Sequence, residues 1–308
     1  MNSSQAWVAL ALKTLSCSQK DLAQRVAVSP GQISKWKNGE RMSLDMQDKF
    51  RVIVKIGEQH PDFVLWAGSL ENAYKWEHLI RFLVEDAKGD AEAGYKTEPF
   101  DGDLGLLCRK VSDTFRDMGV EAPEGFPTDL GPYLNHRPDI KDDHGEELLD
   151  MVASNSYSSL IQAIFESLYS VWGFYTAYVM EVADDAGGEL FAAKSNIEAC
   201  MMDLAACKIE VHEGFAPKFR TFRRRVIMEY KEWLTAFQEA AFRAGTPLRA
   251  ELLDLVRKDA EDPGEVESFG ENDNRLHSDI YMNELLVGMR IIHQVLPVIL
   301  RKLNIKDF

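Results

Sequence analysis

Ser18-Gln19-Lys20-Asp21-Leu22-Ala23-Gln24-Arg25-Val26-Ala27-Val28-Ser29-Pro30-Gly31-Gln32-Ile33-Ser34-Lys35-Trp36-Lys37-Asn38-Gly39-Glu40-Arg41 holds two helix starts and one helix stop within 24 residues. Ser18 can cap a first helix, with Asp21 three residues on. Ser29 can cap a second, with Pro30 at its first position and Gln32 at capping-box spacing. Leu22, Ala23 and Val26 form the apolar face of the first helix, and Ile33 and Trp36 that of the second. Packed through these faces, the second helix keeps Gln32, Ser34, Lys35 and Lys37 on a polar outer side. Trp36 is thereby assigned to the core.

Upstream of this stretch, Ser4 to Leu15 places Val8, Ala11, Leu12 and Leu15 at helical spacing and predicts a scaffold helix. The apolar run Ala6 to Leu12 follows no basic segment and precedes no cleavage-like site, so it reads as part of that helix. Ser43 to Gly57 begins with a serine cap and turns Met46, Phe50, Ile53 and either Val54 or Ile56 inward. Residues 1–60 therefore predict a small all-helical domain.

Gln19 opening the first helix, small Ala23 within it, Ile33 in the second and the Asn38-Gly39 exit together resemble the helix-turn-helix of the Cro and lambda-repressor class. This class is also called the xenobiotic-response-element (XRE) family. The resemblance covers roughly the first 60 residues. It implies double-stranded DNA as partner, with the second helix in the major groove and its N-terminal part nearest the bases. It makes Gln32, Ser34 and Lys35 the readers of base edges, where glutamine suits adenine and lysine suits guanine. Gln19, Ser29, Lys37, Asn38 and Arg41 fall to the sugar-phosphate backbone, positioning rather than specifying. For Gln32 an alternative stands open: its amide can bond back to the Ser29 backbone and be withheld from bases. The family usually has glycine in the turn where this chain has Ala27. A left-handed alanine costs about 1–2 kcal/mol, so that turn is expected to be adjusted.

Charge supports one-ended contact with phosphate. The chain carries 35 Lys and Arg against 50 Asp and Glu, a net of −15. Residues 1–60 hold nine basic and five acidic residues, a net of +4, which leaves −19 on the remainder. A local basic field suffices for attraction to DNA, and the acidic body should turn away from it.

Beyond residue 60 the pattern shows helices and loops and no convincing alternating strand, predicting an all-α protein whose second domain, 61–308, is a large helical bundle. Helices are expected from Pro61 to Lys88, Leu104 to Met118, Leu148 to Ala183, Leu190 to Val211, Lys218 to Arg243 and Pro247 to Ala260, with a last one ending at Leu303. Gly89 to Asp103 reads as a loop. So does the proline-rich stretch Gly119 to Gly145, whose length suits either a functional or a mobile segment. In the last helix Met282, Leu285, Met289, Ile292, Leu296, Ile299 and Leu303 follow a heptad seam, the spacing of a dimer contact. Leu286, Val287, Ile291, Val295 and Val298 broaden that face and Pro297 interrupts it, as suits a buried bundle helix instead.

Lys218, Arg220, Arg223, Arg224 and Arg225 form a basic cluster, either a second phosphate contact or a face neutralised by the acidic body. Cys17, Cys108, Cys200 and Cys207 show no paired spacing and imply a reduced, cytoplasmic compartment. No run of about 18 apolar residues predicts a membrane span. The Glu-x-x-His, His-Glu-x-x-His, phosphate-loop and Gly-x-Ser-x-Gly patterns are missing, so no catalytic, metal or cofactor site is assigned and an enzyme is not expected. The function expected is a sequence-specific, dimeric transcription repressor. The alternative makes the helical body a receptor for a peptide, small molecule or antirepressor that controls DNA binding, with Tyr169, Trp172, Phe174, Tyr175 and Tyr178 able to line a pocket, although packing in the core is the favoured reading of these five.

Overall fold

A computed structural model describes residues 3–89, 97–131, 145–176, 180 and 191–244, with scattered positions between 288 and 302. The protein is all-α: every regular element among the described residues is helical, and none is a strand. The expected helix at Pro247 to Ala260 lies outside the described residues, as do residues 132–144 of the proline-rich stretch.

The first four helices are α1 (Ser3–Leu15), α2 (Gln19–Val26), α3 (Pro30–Lys37) and α4 (Leu44–Val54). Ser18 starts α2 through a complete capping box: its hydroxyl accepts from Asp21 N–H at 3.2 Å, and its own N–H donates to the Asp21 carboxylate at 3.1 Å. Those bonds from the Ser18 hydroxyl and backbone hold the Asp21 carboxyl below its usual pKa. Ser29 starts α3, its hydroxyl accepting from Gln32 N–H at 3.2 Å. Both helices then end in the same closure, in which two amides beyond the helix bond back to carbonyls in its last turn. For α2 the bonds are Ala27 N–H to Gln24 C=O at 3.3 Å and Val28 N–H to Ala23 C=O at 2.9 Å. For α3 they are Gly39 N–H to Trp36 C=O and Glu40 N–H to Lys35 C=O, both at 3.0 Å.

The turn at Ala27 is not adjusted. Ala27 takes the left-handed conformation at φ 57° and ψ 48°, because this closure requires a left-handed residue there whatever its side chain. At the end of α3 the same place is filled by Gly39 at φ 100°, where the missing Cβ removes the clash.

Four elements differ from expectation. Helix α4 stops at Val54 rather than Gly57, because Lys55 turns left-handed at φ 56° and Arg51 reaches past it to the carbonyls of Gly57 and Gln59. The single helix expected from Pro61 to Lys88 is two, α5 (Pro61–Trp66) and α6 (Leu70–Gly89). Gly68 breaks it at φ 85°, and the Ser69 hydroxyl restarts it by accepting from Asn72 N–H at 3.1 Å. Residues 98–101 form a short helix, α7 (Glu98–Asp101), inside the expected loop, and α8 (Leu104–Met118) follows with Asp103 as its cap. The helix expected from Leu148 onward is likewise split into α9 (Gly145–Ser154) and α10 (Ser156–Tyr175), with the Asn155 side chain accepting from Tyr157 N–H at 3.0 Å. Helices α11 (Phe191–Lys208) and α12 (Phe219–Ala244) follow.

The chain forms two compact units. The first comprises Met1–Glu92, Lys96–Glu166 and Glu210–Arg223. Within it α1 packs on α3, α4 and α5, and α5 in turn on α8. Phe50 of α4 is fully buried between Trp7 and Trp36, edge-on to both, at ring separations of 6.5 and 6.0 Å. A second aromatic cluster in the same unit gathers Trp66, Trp76, Phe115, Tyr157 and Phe215. The Tyr157 hydroxyl donates to Glu121 C=O at 3.2 Å, so one side chain joins four segments of the chain.

The second unit holds Ser167–Ile209 and the chain from Arg224. There the end of α10 lies along α11: Ser167 donates to Ala205 C=O at 3.0 Å and Tyr175 to the Glu198 carboxylate at 2.5 Å. Trp172, Tyr175, Cys200 and Cys207 are buried. Trp172 and Tyr175 belong to the packing of this unit; Phe174 and Tyr178 have no described side chain.

Candidate nucleic-acid interface

Two residues orient α3. Ile33 and Trp36 are buried, and Trp36 abuts Phe50, so the helix cannot rotate about its axis without opening the core beneath it. Replacing a buried aromatic of this kind with alanine costs about 3–5 kcal/mol. Fixing these two positions sends Ser34, Lys35, Lys37 and Asn38 to solvent, all of them exposed, while Gln32 is half-exposed.

The segment that leaves α3 is also fixed. Met42 N–H donates to the buried Ser4 hydroxyl at 2.9 Å, and the Gln47 amide donates to Met42 C=O at 3.2 Å while accepting from the Trp7 indole at 3.3 Å. Arg51 lies over the Trp7 ring at 5.2 Å, a cation–π contact that covers the indole from the other end of α4. Helices α1 and α4 thus hold both ends of a polar, basic surface whose members come from α3 and the turn behind it.

Of the residues assigned to DNA from the sequence, Ser29, Gln32, Ser34, Lys35, Lys37 and Asn38 share this one helix and its caps, and Arg41 stands exposed just beyond. Gln19 is the first residue of α2, half-exposed, on the preceding helix. The Ser29 hydroxyl is engaged as the cap acceptor. Gln32 does not bond back to the Ser29 backbone with its side chain. Its amide instead donates to the Glu40 carboxylate at 3.3 Å, and Lys35 pairs with the other oxygen of that carboxylate at 3.6 Å.

Glu40 was not among the assigned residues. The signal that finds it is the Asn38-Gly39 exit: a glycine-terminated helix folds its next residue back over the last turn, which puts residue 40 beside residue 35.

Elsewhere in the first unit, a depression of about 410 Å³ opens between the end of α2 and α4, lined by Arg25, Val26, Asp45, Asp48, Lys49 and Val52 among others. Arg220 of the basic cluster is paired with Glu213. In the last helix, Met289, Ile292, Leu296 and Ile299 of the heptad seam are exposed, whereas Met282, Leu285 and Leu303 lie outside the described residues. Among the described residues no three His, Cys, Asp or Glu side chains gather as a metal site, and no helix is long and apolar enough to cross a membrane. No protein-family model, curated protein or solved structure matches the chain.

Proposed function

We propose that this protein is a sequence-specific regulator of transcription that binds double-stranded DNA as a dimer, acting as a repressor. In this reading α2 and α3 are a helix-turn-helix of the XRE class. Helix α3 lies in the major groove with Gln32, Ser34 and Lys35 toward base edges, and Gln19, Ser29, Lys37, Asn38 and Arg41 face the sugar-phosphate backbone. The observation that carries it is the orientation of α3, whose Ile33 and Trp36 are buried while Ser34, Lys35, Lys37 and Asn38 are exposed. That arrangement stands at the net-positive end of an otherwise acidic chain.

A dimer follows from the size of the contact. One short helix reads few base pairs, and proteins of this kind obtain affinity from paired half-sites about one helical turn apart. Met289, Ile292, Leu296 and Ile299 of the seam are exposed, as are Ile291 and Val295 of the broadened face, so in this reading the last helix offers an uncovered apolar surface to a second copy.

Selection of bound duplexes from a random pool, followed by sequencing, tests the proposal, with an enriched and two-fold symmetric site as the expected result. The double variant Gln32→Ala, Lys35→Ala should then lose affinity for that site while melting as the wild type does. Unchanged gel-shift affinity would overturn the assignment of α3.

A further inference from the structure

The two side chains best suited to reading bases in this surface share a single acceptor. Glu40 takes a hydrogen bond from the Gln32 amide at 3.3 Å on one carboxylate oxygen and faces Lys35 at 3.6 Å with the other. Its place is set by the backbone and not by a rotamer alone, because Glu40 N–H bonds to Lys35 C=O at 3.0 Å behind left-handed Gly39. The carboxylate therefore sits over the last turns of α3 whenever that helix is closed.

We propose that Glu40 is a specificity-determining residue, which withholds Gln32 and Lys35 from any duplex that offers only phosphates. This rests on the DNA-binding reading given above. Non-specific binding is driven by cations that displace counterions from the phosphates. With Lys35 held by Glu40, that drive has one cation fewer, and a carboxylate is brought close to the duplex. At a matching site the acceptors of guanine and adenine edges take both donors from Glu40 with directed bonds. The Lys35–Glu40 pair is solvent-exposed on both sides, and its release costs the same on any duplex, but only a matching site repays it with directed bonds to base edges. Glu40 thus penalises the wrong duplex more than the right one.

The test compares wild type with Glu40→Gln on a random-sequence duplex and on the duplex enriched by selection, across a salt series. On the random duplex, Glu40→Gln should bind about eightfold more tightly at about 0.1 M salt, and its log–log salt slope should steepen by about 0.9, one further counterion released. The enriched duplex should gain less, so the ratio of the two affinities falls. In a Lys35→Ala background the gain on random duplex should shrink, since its source is gone. No gain on random duplex, an equal gain on both duplexes, or a full gain without Lys35 would each overturn the proposal. Glu40→Ala serves as the second variant, and thermal melting confirms that both remain folded. A wild type that enriches no duplex at all overturns the DNA reading itself, an outcome recognised before any variant is made.

Discussion

The amide of Met42 and the hydroxyl of Ser4 meet at 2.9 Å in the interior of the first unit, thirty-eight residues apart in sequence. That bond ties the segment leaving α3 directly to α1, and both residues are buried. Ser4→Ala strands a buried N–H and is expected to lower stability by about 1–3 kcal/mol. Urea unfolding of the variant checks this; a midpoint equal to wild type would show that Met42 finds another acceptor.

Ala27 stores strain that glycine would relieve. Its φ of 57° lies in the left-handed region and its side chain is exposed, so removal of the methyl group loses no packing. Ala27→Gly should raise stability by about 1 kcal/mol, the strain removed less the added freedom of the unfolded chain. Thermal denaturation reads the effect, and an unchanged or lower melting temperature contradicts it.

His60 links stability of the first unit to pH. Burial, then the Arg109 guanidinium and more weakly Arg51, hold its pKa below the ordinary 6.5, with Asp103 and Asp62 pulling the other way. The unfolded chain therefore takes up this proton first. Its contribution is complete above about pH 6.5, is lost as pH falls through that value, and levels off once the folded imidazole also protonates. Urea midpoints should drop between neutral and mildly acidic pH, by less in His60→Gln. An identical drop in both proteins would remove His60 from the account.

Association through the last helix is tested by charge. A glutamate at Leu296, in the middle of the exposed seam, should turn a dimer into a monomer in sedimentation equilibrium and weaken binding to a symmetric duplex. A dimer that survives Leu296→Glu must be held elsewhere.

Much of the first unit is legible in short-range chemistry. The caps at Ser18 and Ser29, the burial of Leu22, Ala23, Val26, Ile33 and Trp36, and the exposure of Lys35 and Lys37 all follow from residue type and helical spacing. The two missed helix breaks share a cause. Gly68 and Asn155 interrupt apolar patterns that continue on both sides of them, and periodicity alone carries straight through such a break. Ala27 shows the opposite case, a backbone state imposed by helix closure against the preference of its side chain. Glu40 is found only through the return of the chain at Gly39, because helical periodicity does not continue past that break and a spacing of five from Lys35 matches no helical face.

Helix α1 bears on how far the first sixty residues can be regarded as a portable part. Its buried residues Ser4, Ala6, Trp7, Val8, Leu10 and Ala11 occupy most of its circumference, because α5 covers one side while α3 and α4 cover the other. Lys13 adds a bond to Gly68 C=O at 2.9 Å, beyond α5. A graft of residues 1–60 onto a foreign protein would carry α1 away with half its surroundings missing and an apolar flank open to water. A fragment that keeps α1 covered has to run through α5 at the least, so the piece that can be transplanted is larger than the motif it carries.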